Sequence, residues 1–161
     1  MALMARAHEV SEGENVLKTR GGAMSTKMVY GNDCNIMIAV RGAGYHSNPH
    51  AHDAEQLNYC VDGEIWCFVD DRGFLLKTGD FCRIPRNAVH WAWNRSDRTC
   101  TIFEAHAPAC DPLVRKGAVG LYDPGETPDL ATAVNTYRLP EDQIAKYIEV
   151  EMRVVGEAAR S

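Results

Sequence analysis

Over most of its length the chain alternates apolar and polar residues with a period of two, and that period predicts strands. Side chains two apart share one face of a strand, so short alternating runs bounded by Gly, Pro, Asn or Asp read as strands joined by turns. Strands are predicted over 27–30 and 35–41, with a turn at Gly31-Asn32-Asp33 between them. Further strands are predicted over 56–61, 64–69, 74–77, 81–84, 89–93 and 100–106. Asp62-Gly63 reads as a two-residue hairpin turn, and Asp70-Asp71-Arg72-Gly73 as the next turn. Short strands with turns this frequent argue for an all-β antiparallel barrel or sandwich.

The pattern changes near the C-terminus. Residues 108–135 have no clear period and contain Pro112, Pro124, Gly125 and Pro128, so a long loop wrapping the barrel is expected there. Pro140 then opens a helix, with Glu141 and Asp142 in the first turn, where the helix dipole favours acids. The helix is expected to end near Gly156. Ile144, Ile148 and Val155 fall roughly on one face, with Tyr147 and Val154 beside them. That stripe packs either on the barrel or on a second subunit.

Length and charge narrow the classes. The 161 residues predict one domain (1–161), with a barrel core over about 24–107, the wrapping loop over 108–139 and the helix over 140–158. The net charge is −5 and the basic residues are scattered, so no nucleic-acid surface is expected. No apolar run approaches the ~20 residues of a membrane-spanning helix. Residues 1–9 read as too short and too polar for a signal peptide, which predicts a cytoplasmic protein. Six cysteines (34, 60, 67, 82, 100 and 110) form no CxxC, and four of them fall in apolar runs. They are expected as reduced thiols, chiefly small buried hydrophobes.

Candidate chemistry sits in two stretches. His50 and His52 lie two apart and can share one face of a strand. Gln56 keeps their parity if the chain stays extended, whereas Glu55 should face away, and His90 arrives from a distant strand. Three imidazoles converging on one point suit a divalent first-row metal.

The spacing resembles both halves of the cupin signature. In that family a Gly is followed by five residues, His-x-His, three or four residues, Glu, six residues and Gly. Gly44 to Gly63 is similar to this at every position except one, where Gln56 replaces Glu. The second half is Gly, five residues, Pro-x-Gly, two residues, His, three residues, Asn. Gly79 to Asn94 matches with Asn87 in place of the second Gly, and Asn tolerates a left-handed backbone. The resemblance implies an RmlC-like cupin jelly-roll barrel, here with the C-terminal α-helix appended. It also implies a metal held by His50, His52, Gln56 and His90, and a homodimer. Fe2+ is favoured, with Ni2+, Mn2+, Zn2+ or Co2+ as alternatives. An amide in place of a carboxylate cancels none of the metal's charge, which leaves a stronger Lewis acid towards anionic oxygens.

Around this set, Asn58 shares the face of Gln56, and Tyr45 and His46 precede the first ligand. Arg41 and Arg83 are the candidates for gripping a substrate carboxylate. Trp91 and Trp93 have the opposite parity to His90 and are expected to pack behind the site. His106, at a strand end, is expected on the surface. Three functions follow from the resemblance. The frequency of oxygenases among small metal cupins tilts the expectation to a non-haem iron dioxygenase acting on a small phenolic, diketone or enolisable substrate that is anionic when bound. Gln56 is similar to the glutamine of redox-neutral cupin isomerases and lyases, which gives the second reading. A non-catalytic binding module or partner subunit is the third.

Overall fold

The computed structural model describes residues 4–13, 19–110, 119–121 and 136–160. Its elements run β1 (Thr19–Gly21), β2 (Met24–Tyr30), β3 (Asn35–Arg41), β4 (His46–Ser47), β5 (His50–His52), β6 (Glu55–Asp62), β7 (Glu64–Val69), β8 (Arg72–Lys77), β9 (Phe81–Ile84), β10 (His90–Trp93), β11 (Cys100–Ala107), β12 (Val119–Gly120), β13 (Thr136–Arg138) and α1 (Glu141–Ala158). One sheet orders β1-β4-β10-β5-β13, with β7 on β10 and β8 on β7. The other orders β12-β2-β3-β11-β6-β9. All of these pairs are antiparallel except β12 on β2. The fold is an all-β jelly-roll barrel with one C-terminal helix.

Every strand expected from the alternation is present, although β2 begins three residues earlier than the 27–30 reading. The hairpin expectation at Asp62-Gly63 needs correction. The chain does turn there, but β6 belongs to one sheet and β7 to the other, so the turn carries the chain between sheets. Gly63 has φ of +84°, and a Cβ on it would stand 2.8 Å from the Thr99 carbonyl oxygen. Only glycine fits that passage. The 108–139 stretch also differs from a plain loop. β12 and β13 lie in it, and β13 pairs with β5, placing Arg138 opposite His50 and Thr136 opposite His52. Residues 111–118 and 122–135 of the expected loop lie outside the described residues.

The polarity of the six-stranded sheet explains how a polar site is enclosed. On β3, Asn35, Met37, Ala39 and Arg41 are buried, while Ile36 and Ile38 on the opposite face are 40% and 41% exposed. On β11 the buried set is Cys100, Ile102, Glu104 and His106. On β6 it is Gln56, Asn58 and Cys60. Register stacks these into rows: Asn35, His106 and Gln56 lie abreast at one level, and Met37, Glu104 and Asn58 at the next. The barrel interior therefore carries polar rows on these strands, beside a core formed by Cys60, Cys100, Ile65, Leu76, Ile84 and Ile102. The six cysteines are free thiols. Among the described residues no helix is long and apolar enough to cross a membrane.

Helix α1 covers the outer face of the seven-stranded sheet. Tyr147, Val150, Val154 and Val155 pack on Ala51, Phe68, Trp66, Trp91 and Trp93. The expected stripe is rotated, because Ile148 is exposed and the most buried helical side chain is Glu151. Burial of that carboxylate is tolerated because Oε2 accepts from Arg20 Nη2 at 2.7 Å, His46 Nε2 at 2.7 Å and Trp91 Nε1 at 2.8 Å. Burial alone would raise its pKa, yet the bonds from His46, Arg20 and Trp91 outweigh that and hold it below the usual carboxylate range. Trp91 stacks on Phe68 behind β10, as its parity required, so this clamp grips the strand that carries His90.

Candidate metal centre

Alternation on β5 sends Ala51 outward under α1 and His50 and His52 inward. His90 lies directly across from His50 in the ladder between β10 and β5. The ring centroids are 4.2 Å apart for His50 and His90, 4.7 Å for His52 and His90, and 6.2 Å for His50 and His52. Each ring is oriented by a backbone carbonyl. Nδ1 of His50 donates to Asn48 O at 2.9 Å, Nδ1 of His52 to Ala54 O at 3.0 Å, and Nδ1 of His90 to Ala88 O at 3.0 Å. A carbonyl only accepts, so the proton of each ring sits on Nδ1 and Nε2 presents a lone pair to the interior. Asn87, with φ of +59°, makes the turn that brings the chain into β10.

Gln56 completes this set from the facing sheet. Its Nε2 donates to Asn58 Oδ1 at 2.7 Å and to Glu104 Oε2 at 3.2 Å, which turns Oε1 towards His52 Nε2 at 3.0 Å. Two acceptors thus face each other at hydrogen-bond distance, an arrangement that a shared cation reconciles. Nε2 of His90 is buried and has no hydrogen-bond partner among the described residues. Both observations fit a divalent metal bound by His50, His52, His90 and Gln56.

Burial, helped by the neighbouring rings, keeps His50 and His90 neutral, the form in which they ligate. It pushes His50 down to about 4, against the bond to Asn48, and holds His90 well below the usual range. Arg41, by contrast, keeps its charge. Burial opposes it, but Tyr45 and Glu104 raise its pKa. Its Nη2 meets Glu104 Oε1 at 2.8 Å, and its guanidinium lies 4.6 Å from the centre of the Tyr45 ring.

His106 requires a correction: it is buried, not on the surface, and its ring meets His52 edge to face at 5.3 Å. Asn35 fixes its tautomer. Cys110 N–H donates to Asn35 Oδ1 at 2.8 Å, so the Asn35 amide nitrogen faces His106 Nδ1 at 3.0 Å and donates to it. The neutral ring then carries its proton on Nε2, the reverse of the other three. Burial, with His52 and His50 beside it, pushes His106 down to about 3. Parity with Cys100, Ile102 and Glu104 along β11 was the signal in the sequence that could have placed it inside. A second grouping, His52, His106 and Cys110, has ligand atoms within 4.8 Å of one another and could also hold a metal. It shares His52 with the first set, so the two are alternatives.

The other candidates fall as follows. Asn58 is buried and holds Gln56. Tyr45 is buried under Arg41. His46 stacks on Trp93 at 4.4 Å and binds Glu151, on the helix side. Arg83 lies outside the pocket: its side chain is 62% exposed and pairs with Glu55, which faces away as parity required.

Comparison with known proteins agrees with this geometry. Residues 37–106 match the model of the cupin domain. No curated protein matches the chain in sequence. An RmlC-like cupin from Shewanella frigidimarina superposes with a TM-score of 0.53 at 22% identity, covering 64% of this chain and 98% of that one. The polyketide cyclase RemF from Streptomyces resistomycificus gives 0.57 at 17% identity, covering 65% and 79%. KdgF from a Halomonas species gives 0.53 at 19% identity, covering 64% and 97%. The two-part motif, the jelly-roll topology and the match over 37–106 together identify that stretch as a cupin domain.

Proposed function

We propose that this protein is a metal-dependent cupin enzyme that moves a proton on a small, enolisable oxygenated substrate, as an isomerase or lyase does. The observation that carries this reading is the cluster of the His50, His52 and His90 rings, with Gln56 Oε1 3.0 Å from His52 Nε2 and the His106 ring against His52. When bound, a divalent metal would polarise a substrate carbonyl and favour its enolate. His50, His52, His90 and Gln56 would hold it. Asn58 and Glu104 keep the Gln56 oxygen aimed at the centre. His106 holds a proton at Nε2, and Asn35 keeps Nδ1 occupied, so the neutral ring can donate a hydrogen bond from Nε2 to a developing enolate oxygen. RemF, a polyketide cyclase, has a similar fold.

A non-haem iron dioxygenase is the second reading, because three clustered imidazoles also suit iron. Two measurements decide between them. Protein purified without chelator or affinity metal is analysed for metal, alongside His50→Ala/His90→Ala. It is then assayed on catechol, hydroquinone and diketone panels in air and under nitrogen. Turnover that persists under nitrogen supports the proton-transfer reading, and oxygen consumption with stoichiometric iron supports the dioxygenase. If wild type and variant hold equally little metal after reconstitution, both readings fail and a binding module or partner subunit remains.

A homodimer belongs to the same reading. Ile36 and Ile38 on β3, Leu57 and Val61 on β6 and Phe81 on β9 leave an apolar outer face on the six-stranded sheet, with Phe81 78% exposed. Faces of this kind are commonly covered by a partner. Sedimentation as a monomer that Phe81→Glu does not change would count against it.

A further inference from the structure

We propose that Arg41 Nη1 binds a carboxylate of the substrate, so that the metal site acts on a small oxygenated acid. This deepens the reading above and rests on it for the chemistry, though not for the binding.

Arg41 is 7% exposed, and its charge is placed inside the barrel by β3 rather than on the surface. Two contacts fix the guanidinium. Nη2 is taken by Glu104 Oε1 at 2.8 Å, the flat face rests on the Tyr45 ring, and Tyr45 is itself 2% exposed. Nη1 is buried and, among the described residues, has no hydrogen-bond acceptor. The acceptors nearest in the network are already engaged. Glu104 gives its other oxygen to Gln56, and Asn58 Oδ1 accepts from Gln56 as well. A charged N–H group that is buried and unpaired is costly unless something supplies an acceptor.

The ligand class follows from the donor. A guanidinium nitrogen held in a fixed plane suits a carboxylate, whose oxygens accept charge-assisted bonds. Charge points the same way. Arg41 and Glu104 cancel, Gln56 carries no charge, and no other carboxylate in this set offsets a divalent cation. An acid would supply that negative charge. Glu104 joins the guanidinium to the same interior as the metal set, since its Oε1 meets Arg41 Nη2 at 2.8 Å and its Oε2 accepts from Gln56 Nε2 at 3.2 Å. Arg83, the other arginine considered, already has Glu55 at the surface.

The test is a titration of metal-loaded and metal-stripped protein with acetate, propionate and benzoate, each compared with its neutral amide, followed by NMR. The variants are Arg41→Lys, Arg41→Met and the double variant Arg41→Met/Glu104→Gln, which leaves no buried carboxylate unpaired and so keeps a foldable protein. In wild type the carboxylates should bind roughly 10- to 100-fold more tightly than the amides, the range of one charge-assisted bond. Stripping the metal should preserve the preference, and the double variant should abolish it. Equal titration of acid and amide would overturn the inference. So would a preference that survives in the double variant, or one that disappears with the metal, since the acid would then be binding the metal. If the protein takes up no metal yet still prefers acids through Arg41, the metalloenzyme reading falls and this one stands.

Discussion

Removing the Glu151 carboxylate should loosen the helix from the barrel by an amount the structure allows one to work out. Glu151→Ala deletes one acceptor oxygen that serves Arg20, His46 and Trp91 at 2.7–2.8 Å. The Glu151 side chain is only 3% exposed, so water does not replace it freely. Hydrogen bonds to a charged group contribute about 1.5–3 kcal/mol each, but three on one atom are not additive. Breaking a buried charged network by deleting one partner costs about 3–5 kcal/mol, mostly from the donors left behind. For a chain of this size that corresponds to a fall in Tm of about 10 °C. Glu151→Gln keeps an acceptor oxygen and should cost less than half as much. Glu149→Ala, an exposed acid on the same helix, should stay within about 0.5 kcal/mol. The pH dependence has a definite sign. Glu151 titrates below its ordinary 4.5 when folded, so its contribution is present above that pH and is lost as pH falls through the lower folded value. The gap between wild type and Glu151→Gln should therefore narrow on acidification from pH 7 to pH 4. Urea unfolding of the four proteins at both pH values is the assay. A Glu151→Ala cost below about 1 kcal/mol, or a gap that widens in acid, would refute the account of the clamp.

Three further outcomes are expected. Metal-free protein should lose stability as pH falls below 6.5, because unfolded histidines take up protons while His50 stays neutral to about 4 and His106 to about 3. The slope should approach about 1.4 kcal/mol per pH unit for each such histidine, and a flat urea midpoint between pH 6.5 and 4.5 would contradict it. Asn58→Ala frees one N–H of Gln56 and should weaken metal binding roughly 10-fold in competition with a chelating dye; an unchanged Kd would show that Glu104 alone orients the amide. Gly63→Ala must place a Cβ against the Thr99 carbonyl at positive φ and should cost about 1–3 kcal/mol by chemical denaturation, whereas a neutral result would mean the passage between sheets relaxes easily.

What the sequence determined by itself was local and periodic. Alternation located eight strands, because strand parity is a property of neighbouring residues and survives any arrangement of sheets. The spacing of His50, His52, Gln56 and His90 pointed to one metal set, and Asn87 could be read as a left-handed position because only its own backbone was involved. Which partner each strand takes, and which of its faces becomes the inside, was decided only by the tertiary structure. β6 and β7 looked like a hairpin, yet they pair in different sheets, since hydrogen bonds to β11 and β10 are available only after the barrel closes. On β3 the more apolar face, Ile36 and Ile38, is the outer one, so composition alone places Arg41 in solvent and hides its pairing with Glu104 from another strand. His106 was misplaced for a related reason. Its neighbours Asn35 and Gln56 lie 71 and 50 residues away in sequence, and only cross-strand register brings the three to one level. Glu151 was hidden in the same way, because an acid on a helix reads as exposed until three donors from distant elements converge on it.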